Sequence, residues 1–205
     1  MKYTTIEGER WLIASPEISR RDQFGALLNA RGLLGQAVEV GVHRGEFAEQ
    51  LLATWSGRRL HCVDPWQDHL PDYDGHVPES NRIADLGETI GRLSAFGDRA
   101  AIHQRTSSLA APLFPDATLD ATLDFCYLDA NHRRRYVEQD IRLWWPKIRP
   151  GGILAGHDIS GFWQAEVEPA VVAFARRLDR RIYLVPDRRP QPASWYVYKA
   201  KEAAG

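Results

Sequence analysis

Four polar side chains, at the ends of two short apolar runs, could carry most of the chemistry in this sequence. Phe125-Cys126-Tyr127-Leu128 leads into Asp129-Ala130-Asn131-His132, and Gly152-Ile153-Leu154-Ala155 leads into Gly156-His157-Asp158. Carboxylate oxygens and imidazole nitrogens suit a divalent cation such as Mg²⁺, Mn²⁺ or Fe²⁺, with histidine tilting the choice slightly away from Mg²⁺. The same groups can move a proton near neutral pH. Taken singly, each has an ordinary alternative. Asp129 could be a structural or adenosine-side acid, His132 a helix cap, and His157-Asp158 a hydrogen-bonded surface pair.

A second constellation lies upstream. Glu39-Val40-Gly41-Val42-His43-Arg44-Gly45 has the form E-x-G-x-x-x-G at a strand-to-helix turn. Glycine permits a sharp turn and a close approach to the main chain. The spacing differs from the G-x-G-x-x-G of dinucleotide binders. Asp64 follows at the end of the next strand, where a carboxylate can take both hydroxyls of a ribose. Alternatively it caps the turn ahead of Pro65. Turn and acid together point to a nucleoside site.

These groups need a scaffold, and the pattern supplies one. Strand candidates lie at 37–42, 59–63, 100–103, 121–128 and 152–155, with helical spacing between them. Phe47, Leu51, Leu52 and Trp55 mark one helix; Ile83, Leu86, Ile90 and Leu93 mark a second. A third runs from about Tyr136 to Pro146 through Val137, Ile141 and Leu143, with Trp144-Trp145 as core packing. A fourth carries Val167, Val171, Val172 and Phe174. The last two strands, 181–185 and 194–198, are joined by a proline-rich connection without a helix and pair as a hairpin. The prediction is an α/β fold: a doubly wound, mostly parallel, seven-stranded Rossmann-like sheet with a C-terminal antiparallel hairpin strand. In it Asp129, His132, His157 and Asp158 share the sheet edge where open α/β folds bind ligands. Residues 1–35 form an N-terminal helical cap segment, with amphipathic pieces around Trp11 to Ile13 and Phe24 to Leu28, and 36–205 form the main domain. The polar loop 67–80, with His69, Tyr73 and His76, is a second candidate cover for the site, and Trp163 a candidate wall.

Here the chain resembles the class I S-adenosylmethionine-dependent methyltransferases, over roughly residues 36 to 200. Glu39, Gly41 and Gly45 match that family's first motif, and Val63-Asp64-Pro65-Trp66 its second. The resemblance implies that Glu39, Gly41, Val42, His43 and Gly45 face the methionine end of S-adenosyl-L-methionine. Asp64 then faces the ribose, and Trp66, Ser107 and Ser108 the adenine, with Asp129 also on the cofactor side. The segment from Leu128 to Asp158 is similar to the small bacterial metal-dependent O-methyltransferases, of the catechol type and the macrocin or mycinamicin sugar type. That likeness implies a divalent metal on Asp129, His157 and Asp158, with His132 as the catalytic base beside Asp129. His157 departs from the Asp-Asp or Asp-Asn pair of those families.

The expected activity is therefore metal-assisted O-methylation of a small hydroxylated acceptor: a sugar, an aminocyclitol or a phenol. Two alternatives stand beside it. One is a metal-independent methyltransferase acting on an O, N or carboxylate acceptor; the other is a non-catalytic nucleoside-binding protein. The bulk composition agrees with a small-molecule acceptor. In 205 residues, 44% hydrophobic and 26% charged, the net charge is -1. That balance gives no field to hold nucleic acid. The arginines at 133–135 and 176–181 read as solvated helix surface. No apolar run is long enough to span a bilayer and no signal peptide is evident, so no membrane partner is expected. Cys62 and Cys126, inside apolar runs, read as reduced thiols of a cytoplasmic protein. The N-terminal amphipathic pieces are placed to pack on their own domain or on a second copy, as a homodimer.

Overall fold

Runs rich in Val, Ile, Leu and aromatic residues become strands, and the 3.6-residue patterns between them become helices. The computed structural model describes residues 12–67, 82–116, 123–186 and 192–200. Its strands are β1 (Ile13–Ala14), β2 (Gln36–Val40), β3 (Arg59–Asp64), β4 (Ala100–Gln104), β5 (Leu123–Leu128), β6 (Ile148–Gly156), β7 (Ile182–Val185) and β8 (Ser194–Tyr198). The helices are α1 (Phe24–Ala30), α2 (Glu46–Thr54), α3 (Arg82–Leu93), α4 (Ser107–Ala110), α5 (Arg134–Trp144) and α6 (Gln164–Arg177). The strands form one sheet in the order β1-β7-β8-β6-β5-β2-β3-β4. Every neighbouring pair is parallel except those of β8, which runs antiparallel to both β6 and β7.

The seven expected strands are β2 to β8; the eighth corrects the count. Ile13 and Ala14 pair with Ile182 and Tyr183 at the sheet edge. Two residues are too few to show a period, so β1 has no sequence signal. The segment before β2 thus supplies a strand, a 3-10 turn at Arg21–Gln23 and α1.

Side chains alternate across the sheet and feed two cores. Val38, Val40, Cys126 and Leu154 pack under α5 and α6 against Val137, Ile141, Trp144 and Val171. Ala37, Cys62, Phe125 and Tyr127 pack on the other face against Phe24, Leu28, Phe47 and Leu51 of α1 and α2. Each large aliphatic or aromatic side chain so buried contributes roughly 1.5–3 kcal/mol. Both cysteines are buried and unpaired. Among the described residues, no helix is long and apolar enough to cross a membrane.

Helix α3 differs from its expected orientation. The pattern nominated Ile83, Leu86, Ile90 and Leu93 as the inward face, yet Ile83 and Ile90 are 77% and 51% exposed. The buried positions are Arg82, Asp85, Thr89 and Leu93. Polar contacts dictate this: Thr89 Oγ1 donates to the carbonyl of His43, and Arg44 Nε donates to Asp85 Oδ1 at 2.9 Å. The helix therefore docks on the β2–α2 turn through hydrogen bonds.

The chain leaves β2 for β3 and β4, then returns to β5 on the opposite side of β2, which makes the β2/β5 junction a topological switch point. The ladder continues past it, because the Asp129 amide donates to the Val40 carbonyl at 2.8 Å. Gly41 adopts φ +88° there, and a Cβ on it would lie 2.1 Å from the Asp129 carbonyl oxygen. Gly41→Ala should therefore lower unfolding stability by at least about 2 kcal/mol through strain and overlap, measured by urea denaturation. An unchanged midpoint would show that this junction can relax.

Candidate active site

Beyond the strand ends lies a cleft of about 290 Å³, lined by Glu39, Gly41, Val42, His43, Asp64, Asp129, His132 and His157, with Arg21, Phe47, Pro65 and Gln67 among the other walls. The glycine turn and the acid-histidine cluster thus share one cavity. Asp64 organises the first half. Its Oδ2 accepts from the amides of Val42 and His43 at 2.9 and 3.0 Å, and its Oδ1 from the amide of Trp66 at 2.8 Å. Three of its roughly four acceptor directions are used within the chain. His43 has φ +54°, and its carbonyl accepts from Trp66 Nε1 at 2.7 Å. Gly45, at φ +77°, caps α2 and lies against Thr89.

The three residues expected near an adenine are not among the walls of this cleft. Trp66 is buried in the α1/α2 core, and Pro65 and Gln67 line the cleft instead. Ser107 Oγ donates to Asp140 Oδ1 at 2.5 Å and accepts from Trp144 Nε1 at 2.9 Å. Ser108 Oγ lies 3.2 Å from Thr106 Oγ1 on the surface. Neither serine is among the cleft walls. The loop residues His69, Tyr73 and His76, like Trp11, lie outside the described residues.

The second half converges tightly. His132 Nε2 lies 3.3 Å from Asp129 Oδ1 and 3.1 Å from Asp158 Oδ2. His157 Nδ1 lies 3.0 Å from Asp158 Oδ2 and 3.7 Å from Asp129 Oδ1. The His132 ring also stacks on Trp163, with centroids 5.6 Å apart. Asp129, His132 and Asp158 each offer a ligand atom within 4.8 Å of the others. This set differs from the expected trio by holding His132 in place of His157. The His157 ring is buried, with Nε2 lacking a hydrogen-bond partner.

Burial and charge set the protonation of these groups. Burial first, and then the charge of Asp129, push the Glu39 carboxyl well above its ordinary value. Burial would also raise Asp158, but hydrogen bonds from His132 and His157 outweigh it and hold that carboxyl well below the usual carboxylate range. For His157 burial opposes the charge, yet the bond to Asp158 and the Asp129 carboxylate win and raise it. Two imidazoles therefore surround two carboxylates beside Glu39, whose burial disfavours its charged form.

The family described as "Methyltransferase domain" matches residues 38–159, which include the turn, Asp64 and the whole cluster. The chain belongs to this methyltransferase family. Solved structures show its fold in distant relatives. The O-methyltransferase TomG from Streptomyces achromogenes, involved in tomaymycin synthesis and solved with S-adenosylmethionine, has a TM-score of 0.62 at 12% identity, over 88% of this chain and 79% of its own. An O-methyltransferase from Bacillus cereus, in complex with S-adenosylhomocysteine, scores 0.60 at 11% identity, over 87% and 80%. A putative rRNA methylase from Clostridium thermocellum also scores 0.60, at 13% identity over 91% and 100%. No curated protein matches by sequence.

Several cleft residues of this methyltransferase escaped the sequence reading, Arg21 among them. Arg21, in the 3-10 turn before α1, places Nη1 3.7 Å from Asp129 Oδ2, its guanidinium 5.6 Å from the Phe47 ring centroid. Nothing local to Arg21 marks it; only the packing of α1 on the sheet brings it there.

Ser107 supplies the pH-dependent prediction. Its partner Asp140 is buried, and burial, only partly offset by the Ser107 hydrogen bond, pushes its carboxyl from 3.8 to about 7. The folded state thus binds this proton more tightly than the unfolded chain. The resulting stabilisation is complete below about pH 4 and is lost as pH rises through about 7. Between pH 5 and 8 the Tm of the wild type should fall relative to that of Asp140→Asn. Parallel curves from thermal melts would count against a neutral Asp140.

Proposed function

We propose that this methyltransferase uses S-adenosyl-L-methionine to methylate a hydroxyl of a small acceptor, a sugar, aminocyclitol or phenol, with a divalent metal assisting at the Asp129–Asp158 cluster. The observation that carries the reading is the position of His132. Its Nε2 lies within 3.3 Å of both cluster carboxylates, on the wall of the cleft that the glycine turn also lines.

Both absent groups have a matching donor set. Glu39 is buried at the cleft wall with Oε2 unpartnered, so a cationic amino group could restore its ionised form. Glu39, the Gly41 to His43 turn and the remaining acceptor direction of Asp64 would hold the cofactor. When bound, S-adenosylmethionine supplies a methyl group activated by its sulfonium. The carboxylates of Asp129 and Asp158, with ligand atoms inside 4.8 Å, suit Mg²⁺, Mn²⁺ or Fe²⁺ and leave the His132 imidazole for proton transfer. Such an ion would supply Lewis acidity that lowers the pKa of an acceptor hydroxyl.

The chain's own residues do the rest. An alcohol is a poor nucleophile until it loses its proton, and His132 is the group placed to take it. Asp158, held ionised, orients the imidazole and balances the charge it acquires. Trp163 fixes the plane of the ring by stacking. His157, hydrogen-bonded to Asp158 on its buried side, keeps that carboxylate in place.

A metal-free version is favoured by one observation: Arg21 and the two imidazoles already offset the cluster's negative charge. Turnover assays with an acceptor panel separate the two readings. With metal assistance, EDTA should abolish S-adenosylhomocysteine formation and Mn²⁺ or Mg²⁺ restore it. His132→Ala and Asp158→Ala should each lower kcat by about 100-fold or more while calorimetry still detects cofactor binding. Full turnover in EDTA would remove the metal, and unimpaired His132→Ala would remove the base.

A further inference from the structure

Arg21 stands where the proposed cation would be felt most. We propose that Arg21 is a built-in competitor of the divalent ion, a positioning residue that neutralises Asp129 when no metal is bound and sets how tightly the ion is held. This rests on the metal-assisted reading above.

The two oxygens of Asp129 face different partners. Oδ1 is turned to His132 and His157, at 3.3 and 3.7 Å, whereas Oδ2 lies 3.7 Å from Arg21 Nη1. The guanidinium is about three-quarters buried and rests over the Phe47 ring, which itself stacks on Tyr127. Arg21 also donates a hydrogen bond to the Tyr127 hydroxyl oxygen. Packing on both sides therefore keeps a permanent positive charge beside one ligand carboxylate, because guanidinium does not deprotonate in a protein.

The surroundings explain why such a charge is needed. Glu39 and Asp129 line the cleft, and Asp158 is joined to Asp129 through His132 and His157. Uncompensated carboxylates in a half-buried cluster repel one another and lose hydration. A metal-free site needs a cation, whereas a metal-bound site has one to spare. Arg21 and a divalent ion thus draw on the same carboxylate, and each weakens the other's hold on it. Arg21 also lies outside residues 38–159, so this control is added by the chain's own N-terminal segment.

The test is direct Mn²⁺ binding to the full chain by calorimetry, without acceptor or turnover. Arg21→Met keeps most of the bulk and removes the charge; Arg21→Lys keeps the charge. Removing a unit charge about 4 Å from a ligand should tighten Mn²⁺ binding roughly tenfold in Arg21→Met and leave Arg21→Lys close to wild type. Cofactor affinity and circular dichroism report whether each variant is folded. A purely structural role for Arg21 would weaken Mn²⁺ binding in both variants or leave it unchanged, and either result overturns the competition. If wild type binds Mn²⁺ and Arg21→Met binds it no better, the proposal fails while the metal reading stands. If neither protein binds Mn²⁺ at millimolar concentration, both fail together.

Discussion

The backbone contact between Gly41 and Asp129 holds the two halves of the site together. β2 and β5 are central neighbours, and their ladder runs on until the Gly41 Cα meets the Asp129 carbonyl with no room for a side chain. A turn able to carry a nucleoside and a strand end carrying an acid are thereby set at one switch point. Neither depends on a loop for its position. The same ladder explains the burial of Glu39, which precedes the turn by two residues and faces the α1/α2 side of the sheet.

That geometry concentrates acid, and the site's electrostatics follow from it. A carboxylate removed from water must find a cation, accept several hydrogen bonds or take up a proton. All three solutions appear. Asp158 finds two imidazoles, Asp64 collects three backbone amides, and burial pushes Glu39 toward its neutral form. Asp140, on the far side of the sheet from α1, follows Glu39 and draws Ser107 toward itself. The division of labour among the acids is thus a matter of which partners the fold can bring to each.

Local patterns were legible in the sequence where local chemistry decides the structure. Strands β2 to β8 follow apolar runs bounded by glycine, proline or polar residues, and the E-x-G-x-x-x-G turn is a left-handed turn as its glycines require. The gathering of Asp129, His132, His157 and Asp158 followed from one β-α-β crossover. What could not be read depends on partners distant in the chain. Arg21 reaches Asp129 across 108 positions only because Phe24 packs among Phe47, Phe125, Tyr127 and Tyr196. α3 turned its isoleucines outward because the β2–α2 turn offered it hydrogen bonds. The bond of Ser107 to Asp140 and the burial of Trp66 in the α1/α2 core likewise have no local signal.

The three amides held by Asp64 have a further consequence. They come from Val42, His43 and Trp66, so one carboxylate ties the end of β3 to the turn after β2. The part of the cleft wall that these residues form is then shaped when the protein folds. Association at this part of the wall is accordingly free of a folding step. Thermodynamically, Asp64 does its work at folding, ahead of any encounter.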